Sequence, residues 1–202
     1  LVAEGANVVA AARSADALEA LAAEAPDKIH AVACDMRDRD AVAALVPTTV
    51  GRFGRLDAVI NNAGIAPAGK LVETDLSVME ETLAVNLIAP AALAKAAAQH
   101  FMATDVRGSV VNIASTSGLK GKPMLSGYSA SKGAMMRLTE SLAGEWARDG
   151  IRVNTIAPGA FITDAQSFVL ENEDVLQARI RKIPARRMGN ADEIGPLTCY
   201  LV

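Results

Sequence analysis

Tyr128 and Lys132 stand four residues apart in the stretch SGYSASKGAMMRLTESLAGEW, residues 126–146, where Met136, Leu138, Leu142 and Trp146 then set an apolar helical rhythm. Side chains four apart share one face of a helix. A phenol and an ammonium are therefore brought together, a pairing suited to proton transfer. A phenol alone is a poor acid or base near neutral pH; a cation about 5 Å away, at an effective dielectric of about 20, stabilises the phenolate by roughly 3 kcal/mol. The neighbours Ser129, Ala130, Ser131 and Gly133 are small, which leaves room for a ligand lying against this helix. Ser115 stands thirteen residues before Tyr128, and Asn86 interrupts the apolar tract LAVNLIAPAALAKAAAQHF. An unpaired amide in such a tract is costly, so Asn86 must be hydrogen-bonded. Each residue also has an ordinary reading: Tyr128 and Lys132 as a solvated surface pair, Ser115 as a strand terminus competing with Ser117, and Asn86 as a satisfied core amide.

The 202-residue chain fits a single domain with a substantial core. Its hydrophobic fraction is 51 % but its aromatic fraction only 3 %, so burial must rest on Ala, Val, Leu and Ile. Net charge is −3 with acids and bases interspersed. No block of like charge is present to follow a nucleic acid backbone or an anionic membrane, so neither partner is expected. Cys34 and Cys199 lie far apart without CxxC spacing, which fits buried thiols in a reducing compartment rather than a disulfide or a metal site. The longest apolar tract is broken by Asn86, Pro90, Lys95, Gln99 and His100, and no basic leader with a cleavage site opens the chain. A cytoplasmic protein is expected.

Val- and Ile-rich runs at 7–12, 29–34, 56–61, 108–115 and 151–158 read as buried parallel strands. Between them lie helical stretches: SADALEALAAEA with Ser14 as cap, DRDAVAALV, and a long run from Ser77 in which Ser77 and Glu80 are expected to form a capping box. A last helix opens with Asn190 and Glu193 in the same arrangement. Alternating strands and helices imply a doubly wound α/β sheet, whose ligands bind outside the carboxyl ends of the strands. The unusual residues cluster at those ends: Arg13, Asp35, the NNAG turn, ASTSG and PGAFIT.

NNAG at 61–64, Asn86 in LAVNL, Ser115 in VNIAS, YSASK at 128–132 and Pro158-Gly159 followed by Thr163 resemble, in order and spacing, the short-chain dehydrogenase/reductase family. The resemblance covers nearly the whole chain, and its force lies in the set, since any one element is common. It implies a Rossmann-like fold and an NAD(P)(H)-dependent oxidoreductase that moves a hydride between nicotinamide and a carbonyl or secondary alcohol. In that reading Tyr128 is the general acid/base, Lys132 also holds the nicotinamide ribose hydroxyls, Ser115 hydrogen-bonds the reacting oxygen, and Asn86 positions a water in a proton relay. The implied cofactor contacts are Asn61, Ala63 and Gly64 at the adenosine ribose, Asp35 and Met36 at the adenine, and Pro158, Gly159, Phe161 and Thr163 after the last strand. Arg13 stands where NAD-preferring domains carry an acid, and an arginine there accommodates a 2′-phosphate. NADP(H) is favoured, with NAD(H) the alternative.

The family's opening strand and glycine-rich TGxxxGIG turn, and its final strand, are not in this sequence. Residues 1–202 are therefore expected to form one incomplete dinucleotide-binding domain, with an open position in the sheet, poor folding and weak dinucleotide binding. Residues 160–190 should form a lid over the substrate, and Phe161, Phe168, Val169, Leu170, Met124 and Leu125 suggest an apolar lining. A 3-oxoacyl or general ketone reductase fits this lining. For a carrier-bound substrate Arg107, Arg148 and Lys120 are candidate docking residues, with Asp149 counting against them. The alternatives are a sugar or sugar-acid dehydrogenase and, outside the enzymes, an inactive dinucleotide-binding fragment or sensor. The long helices at 77–103 and 128–148 are, by the resemblance, the faces of a homotetramer or homodimer.

Overall fold

A computed structural model of the protein describes the backbone of residues 1–163 and 167–202. In chain order the strands and helices are β1 (Val8–Ala12), α1 (Ala15–Glu24), β2 (Ile29–Ala33), α2 (Arg39–Phe53), β3 (Ala58–Asn61), α3 (Leu76–Leu83), α4 (Ala89–Thr104), β4 (Ser109–Ile113), α5 (Thr116–Leu119), α6 (Ser126–Trp146), β5 (Arg152–Ile156), α7 (Ser167–Leu170), α8 (Glu173–Ile180) and α9 (Gly195–Leu201). All pairing between strands is parallel. β1 pairs with β2 from Val8↔Ile29 to Ala12↔Ala33; β4 pairs with β3 on one side and β5 on the other.

The ladder is interrupted, giving one sheet of two strands, β1–β2, and one of three, β3–β4–β5. Burial follows from this. Ser109, Val110, Val111 and Asn112 of the doubly flanked β4 are all buried, whereas Val8–Ala11 of β1, bonded along one edge, are only partly covered. The same pair of helices joins the two halves. Val42 and Leu45 of α2 and Ala89 of α4 pack with Cys34 and Val32 beside β2. Val46 of α2 and Ala94, Ala97, Ala98 and Phe101 of α4 pack with Val59, Val110 and Val153 of β3–β5. Alanine along α4 lets it lie close to the sheet, which is how a core with few aromatics is filled.

Local signals explain several boundaries. Ser14 caps α1, its hydroxyl accepting from Ala17 N–H at 3.4 Å, and Glu193 reaches back to Asn190 N–H at 2.9 Å. The long central helix is capped differently from the sequence expectation. Asp75, not Ser77, is its N-cap, and the Asp75 carboxylate accepts from Ser77 N–H at 2.8 Å. A carboxylate two residues upstream is the stronger acceptor for a helix N-terminus. α2 also runs past its expected end, continuing through Pro47 to Gly54, whose φ of 80° closes it. Thr48 and Thr49 donate to Ala44 and Leu45 carbonyls at 2.8 and 2.7 Å, occupying acceptors around the proline. Both cysteines are free; Cys34 is buried, whereas Cys199 is only partly so.

The helical run Leu76–Thr104 has the length and mean hydropathy, 1.3, that could cross a membrane. Part of its apolar surface packs on the sheet and on α2, while Leu76, Ile88 and Met102 stay exposed. The run is not a continuous α-helix: Ala84–Ile88 form a π-helical turn in which Ala89 N–H bonds to Ala84 O, five residues back. Such turns often mark functional sites, and Asn86 sits inside this one.

Candidate active site

Because the strands are parallel, every carboxyl end opens on the same edge, and Ser115, Tyr128 and Lys132 gather beyond β4. The turn of helix after β4 is set by Ser115 itself, whose Oγ accepts from Ser117 N–H at 3.1 Å and caps α5. α5 then meets α6 backbone to backbone. A Cβ on Gly118 would lie 2.6 Å from the Lys132 carbonyl carbon and 2.7 Å from Gly133 N, so only glycine allows this approach. Gly133 faces it, its own Cβ position 3.2 Å from Gly118 O. Two glycines thus fix the distance between the serine's turn and the lysine's helix.

Lys132 is 4 % exposed, and its Nζ donates to Ile113 O at 2.7 Å. The same ammonium lies 5.9 Å from the centroid of the Tyr128 ring, so both groups point to one side of α6. No carboxylate pairs with Lys132 among the described residues. Burial pushes its ammonium down to about 8. Among the described residues one of its three N–H donors is satisfied, by Ile113, which leaves two for a ligand. Tyr128 is half-buried, and its hydroxyl makes no hydrogen bond among the described residues.

Asn86 is completely buried and its amide is fully committed. Oδ1 accepts from Ile65 N–H at 2.8 Å; Nδ2 donates to Ile65 O at 2.8 Å and to Ser131 Oγ at 3.0 Å. Ser131, also 0 % exposed, passes its own proton to Tyr128 O at 2.8 Å. A chain of bonds therefore runs from the NNAG turn through Asn86 to the backbone of the tyrosine. Gly64 lies over this junction: a Cβ there would be 3.3 Å from Asn86 Oδ1 and 3.5 Å from Lys132 Nζ. The absence of a side chain keeps the surface above the lysine clear.

The remaining expected contacts fall into three groups. Asn61 is buried and held by structure, its Nδ2 donating to Asn112 Oδ1 at 2.8 Å and Pro90 O at 3.4 Å. Asn112 in turn donates to Thr139 Oγ1 at 2.9 Å, which ties β3, β4 and α6 together beneath the site. Ala63 is partly covered and follows in the same turn. At the ends of β1 and β2, Asp35 is gripped by Arg37, with Nη2–Oδ2 at 2.6 Å, and Arg37 also reaches Glu81 at 3.2 Å. These bonds to Arg37, with the charge of Arg13 nearby, hold the Asp35 carboxyl down at about 2. Arg13 itself has no carboxylate within ion-pair distance among the described residues. Met36 packs into the α2–α4 cluster. After β5, Pro158 O accepts from Thr116 N–H at 3.0 Å, and Gly159 and Thr163 are exposed.

Phe161 bridges to Gly189, where a Cβ would meet its ring at 2.8 Å. With Ile162 N–H on Gly189 O at 2.8 Å and Gly189 N–H on Ala160 O at 2.9 Å, the two ends of the expected lid are laced together. Its residues 164–166, and the side chain of Phe168, lie outside the described residues. A concavity of about 760 Å³ with Arg107, Arg148, Arg152, Asp105 and Asp149 in its wall is elsewhere. It opens at the amino ends of β4 and β5, the length of a strand (~16 Å) from the carboxyl edge. Arg107 and Arg148, two of the residues expected to dock a carrier, lie at this amino edge and not beside Tyr128. Sequence reasoning missed Ser131, Asn112, Thr139 and Gly118. The pairing of small residues, Gly118 with Gly133 and Ser131 beside Lys132, was the available signal.

Helices on a parallel sheet, with the polar residues gathered beyond the strands' carboxyl ends, define a doubly wound α/β protein of the dinucleotide-binding class. All of residues 1–202 match the family model described as enoyl-(acyl carrier protein) reductase, and the chain belongs to this family of short-chain dehydrogenase/reductases. It is 38 % identical over 156 residues to an uncharacterized oxidoreductase of Thermotoga maritima, covering 74 % of this chain and 61 % of that protein. It is 33 % identical over 176 residues to glucose 1-dehydrogenase 2 of Bacillus subtilis, covering 87 % and 68 %. Among solved structures it superposes on NAD+-bound xylitol dehydrogenase with a TM-score of 0.91 at 28 % identity, covering 99 % of this chain and 84 % of the other.

Proposed function

We propose that this chain carries the catalytic residues of an oxidoreductase that interconverts a carbonyl and a secondary alcohol with a nicotinamide dinucleotide, NADP(H) in preference to NAD(H). The observation that carries this reading is the buried Lys132 ammonium, with two donors unused among the described residues, a tyrosine ring 5.9 Å away and a clear surface at Gly64 above it. A buried cation without a counter-charge is costly, and ribose hydroxyls would supply the missing acceptors. The bound nicotinamide supplies the redox chemistry. The protein's own residues then handle the proton. Tyr128 exchanges it with the substrate oxygen, Lys132 stabilises the phenolate, and Ser115 donates to the same oxygen while its lone pairs cap α5. Asn86 acts as a brace, since both its Nδ2 protons are already given to Ile65 O and Ser131 Oγ.

Arg13 supports the cofactor preference. It stands at the carboxyl end of β1 with no ion-pair partner among the described residues, and its neighbour Asp35 is neutralised by Arg37, so this corner favours a phosphate over a bare ribose hydroxyl. The relatives that act on glucose and xylitol keep a polyol substrate in view; a 3-oxoacyl or simple ketone substrate is the reading preferred here. The test is a fluorescence titration with NADPH and NADH on wild type and Arg13→Ala, followed by cofactor oxidation against ketones, ketoses and acyl thioesters. Loss of an Arg–phosphate contact should weaken NADPH binding about tenfold and leave NADH unchanged. Equal losses for both cofactors would defeat the NADP assignment, and no carbonyl-dependent oxidation of either would defeat the activity.

A further inference from the structure

Lys132, Met135, Met136 and Thr139 of α6 are all buried, and their i, i+3, i+4, i+7 spacing makes them one stripe of the helix. The stripe is polar at both ends and apolar between. Among the described residues two side-chain hydrogen bonds join α6 to the sheet, and both end on β4: Lys132 Nζ donates to Ile113 O at 2.7 Å, and Asn112 Nδ2 donates to Thr139 Oγ1 at 2.9 Å. Lys132 and Thr139 stand two turns apart, ~10 Å along the helix axis.

The two bonds differ in stiffness. The Lys132 ammonium ends a flexible four-carbon stem, which can follow a helix as it slides. Thr139 Oγ1 sits directly on its β-carbon and gives its proton to Met135 O at 2.8 Å, so it is fixed to the helix backbone and is left only to accept from Asn112. Asn112 is 1 % exposed and is held by both neighbouring strands. Its Oδ1 accepts from Asn61 Nδ2 of β3 at 2.8 Å, and its backbone carbonyl accepts from Thr155 Oγ1 of β5 at 3.0 Å. The bond from Asn112 to Thr139 therefore ties fixed strand to fixed helix. The apolar contacts between the anchors cannot do this. Met135 and Met136 pack with Ala114 and Ala157, flexible side chains against small ones, and such a surface adapts when a helix slips. A directional bond is lost within a shift of ~1 Å. Tyr128 continues the same stripe four residues before Lys132, so a slip or turn of α6 moves its phenol relative to Ser115 beyond β4.

We propose that Thr139 and Asn112 are positioning residues for the Tyr128–Lys132 pair, fixing the height and rotation of α6 on the sheet. They act from beneath the site through the helix that carries it. A misplacement of about 1 Å at a reacting group costs on the order of a hundredfold in rate. The inference rests on Tyr128 being the proton donor. Its test is ketone reduction by NADPH with wild type, Thr139→Val and Thr139→Ser, the sites being counted by NADPH titration so that unfolded protein does not enter the rate. Valine keeps the branched shape and removes the acceptor. Thr139→Val should lower kcat per site about tenfold or more, while KM for the ketone and Kd for NADPH change by less than about twofold. Thr139→Ser, which keeps the hydroxyl, should restore most of the lost kcat. Thr139→Cys, whose sulfur accepts only weakly, should fall between the two, and it replaces the valine variant if that one does not fold. Wild-type kcat per site in Thr139→Val, or in Thr139→Cys where it stands in, would overturn the assignment; so would equal falls for valine and serine, or a loss carried by KM alone. If wild type oxidises no NADPH with any ketone, or Tyr128→Phe matches wild type, the parent reading fails and this one with it. Turnover that Tyr128→Phe abolishes and Thr139→Val leaves intact defeats the positioning role alone.

Discussion

Replacing Lys132 with methionine should make the free protein more stable while destroying its ligand site. The ammonium is 4 % exposed and held by one carbonyl, Ile113 O at 2.7 Å, and its acidity is shifted from 10.5 to about 8 by burial. A shift of that size corresponds to roughly 3 kcal/mol of destabilisation when the group is charged. Methionine has similar length, so the cavity term is small, but Ile113 O loses its partner at about 1 kcal/mol. The net gain is about 2 kcal/mol at pH 7. The pH dependence follows from the sign of the shift. The folded state releases the Lys132 proton near 8 and the unfolded chain near 10.5, so between those values the unfolded chain binds more protons. Wild-type stability therefore rises with pH across that window relative to the variant, and below it the penalty is constant. Urea unfolding of both proteins at pH 7, 8, 9 and 10 reads the difference directly. With saturating NADPH the order should reverse at pH 7, because only wild type gains binding energy. A gap between the two proteins that is the same at pH 7 and pH 10, or a variant clearly less stable than wild type at pH 7, would refute the argument.

Gly118→Ala places a Cβ 2.6 Å from the Lys132 carbonyl carbon, which forces α5 away from α6. It should cost about 1–3 kcal/mol in urea unfolding and lower kcat more than it raises KM, because Ser115 moves with α5. Ser131→Ala removes the acceptor of an Asn86 Nδ2 proton inside a completely buried site. It should destabilise by about 1–3 kcal/mol, and Ser131→Thr, which keeps the hydroxyl, should recover part of the lost turnover where Ser131→Cys does not.

The sequence carried the candidates for the reactive groups and the order of the elements, because both are local. The strands expected at 7–12 and 29–34 appear as Val8–Ala12 and Ile29–Ala33, and the run expected at 151–158 as Arg152–Ile156. Cys34 after β2 and Ala157 and Pro158 after β5 belong instead to the turns at the carboxyl edge, whereas Asn7 and Ile151 lie at the amino ends. Placement of Ser115, Tyr128 and Lys132 beyond β4 followed from the rule for parallel sheets. What stayed hidden was partnership across distance. Asn86 and Ser131 are 45 residues apart in sequence, and Asn61 and Asn112 are 51 apart; no local pattern announces that one will satisfy the other. The π-helical turn was hidden for the same reason. A tract of Ala, Val and Leu reads as uninterrupted helix, and only the bonds from Asn86 to Ile65 show why the helix widens there. Asp75 displaced Ser77 as a cap because both are good caps and the choice depends on where the preceding loop delivers the chain.

The claim on which the account depends is that Tyr128 carries the proton under the influence of Lys132. The most direct measurement is single-turnover oxidation of NADPH with a ketone by wild type and Tyr128→Phe, with the dissociation constant of NADPH determined for both in parallel. Loss of an essential acid should reduce turnover by about a hundredfold or more while NADPH binds the variant as it binds wild type. A phenylalanine variant that turns over ketone at the wild-type rate would contradict the account.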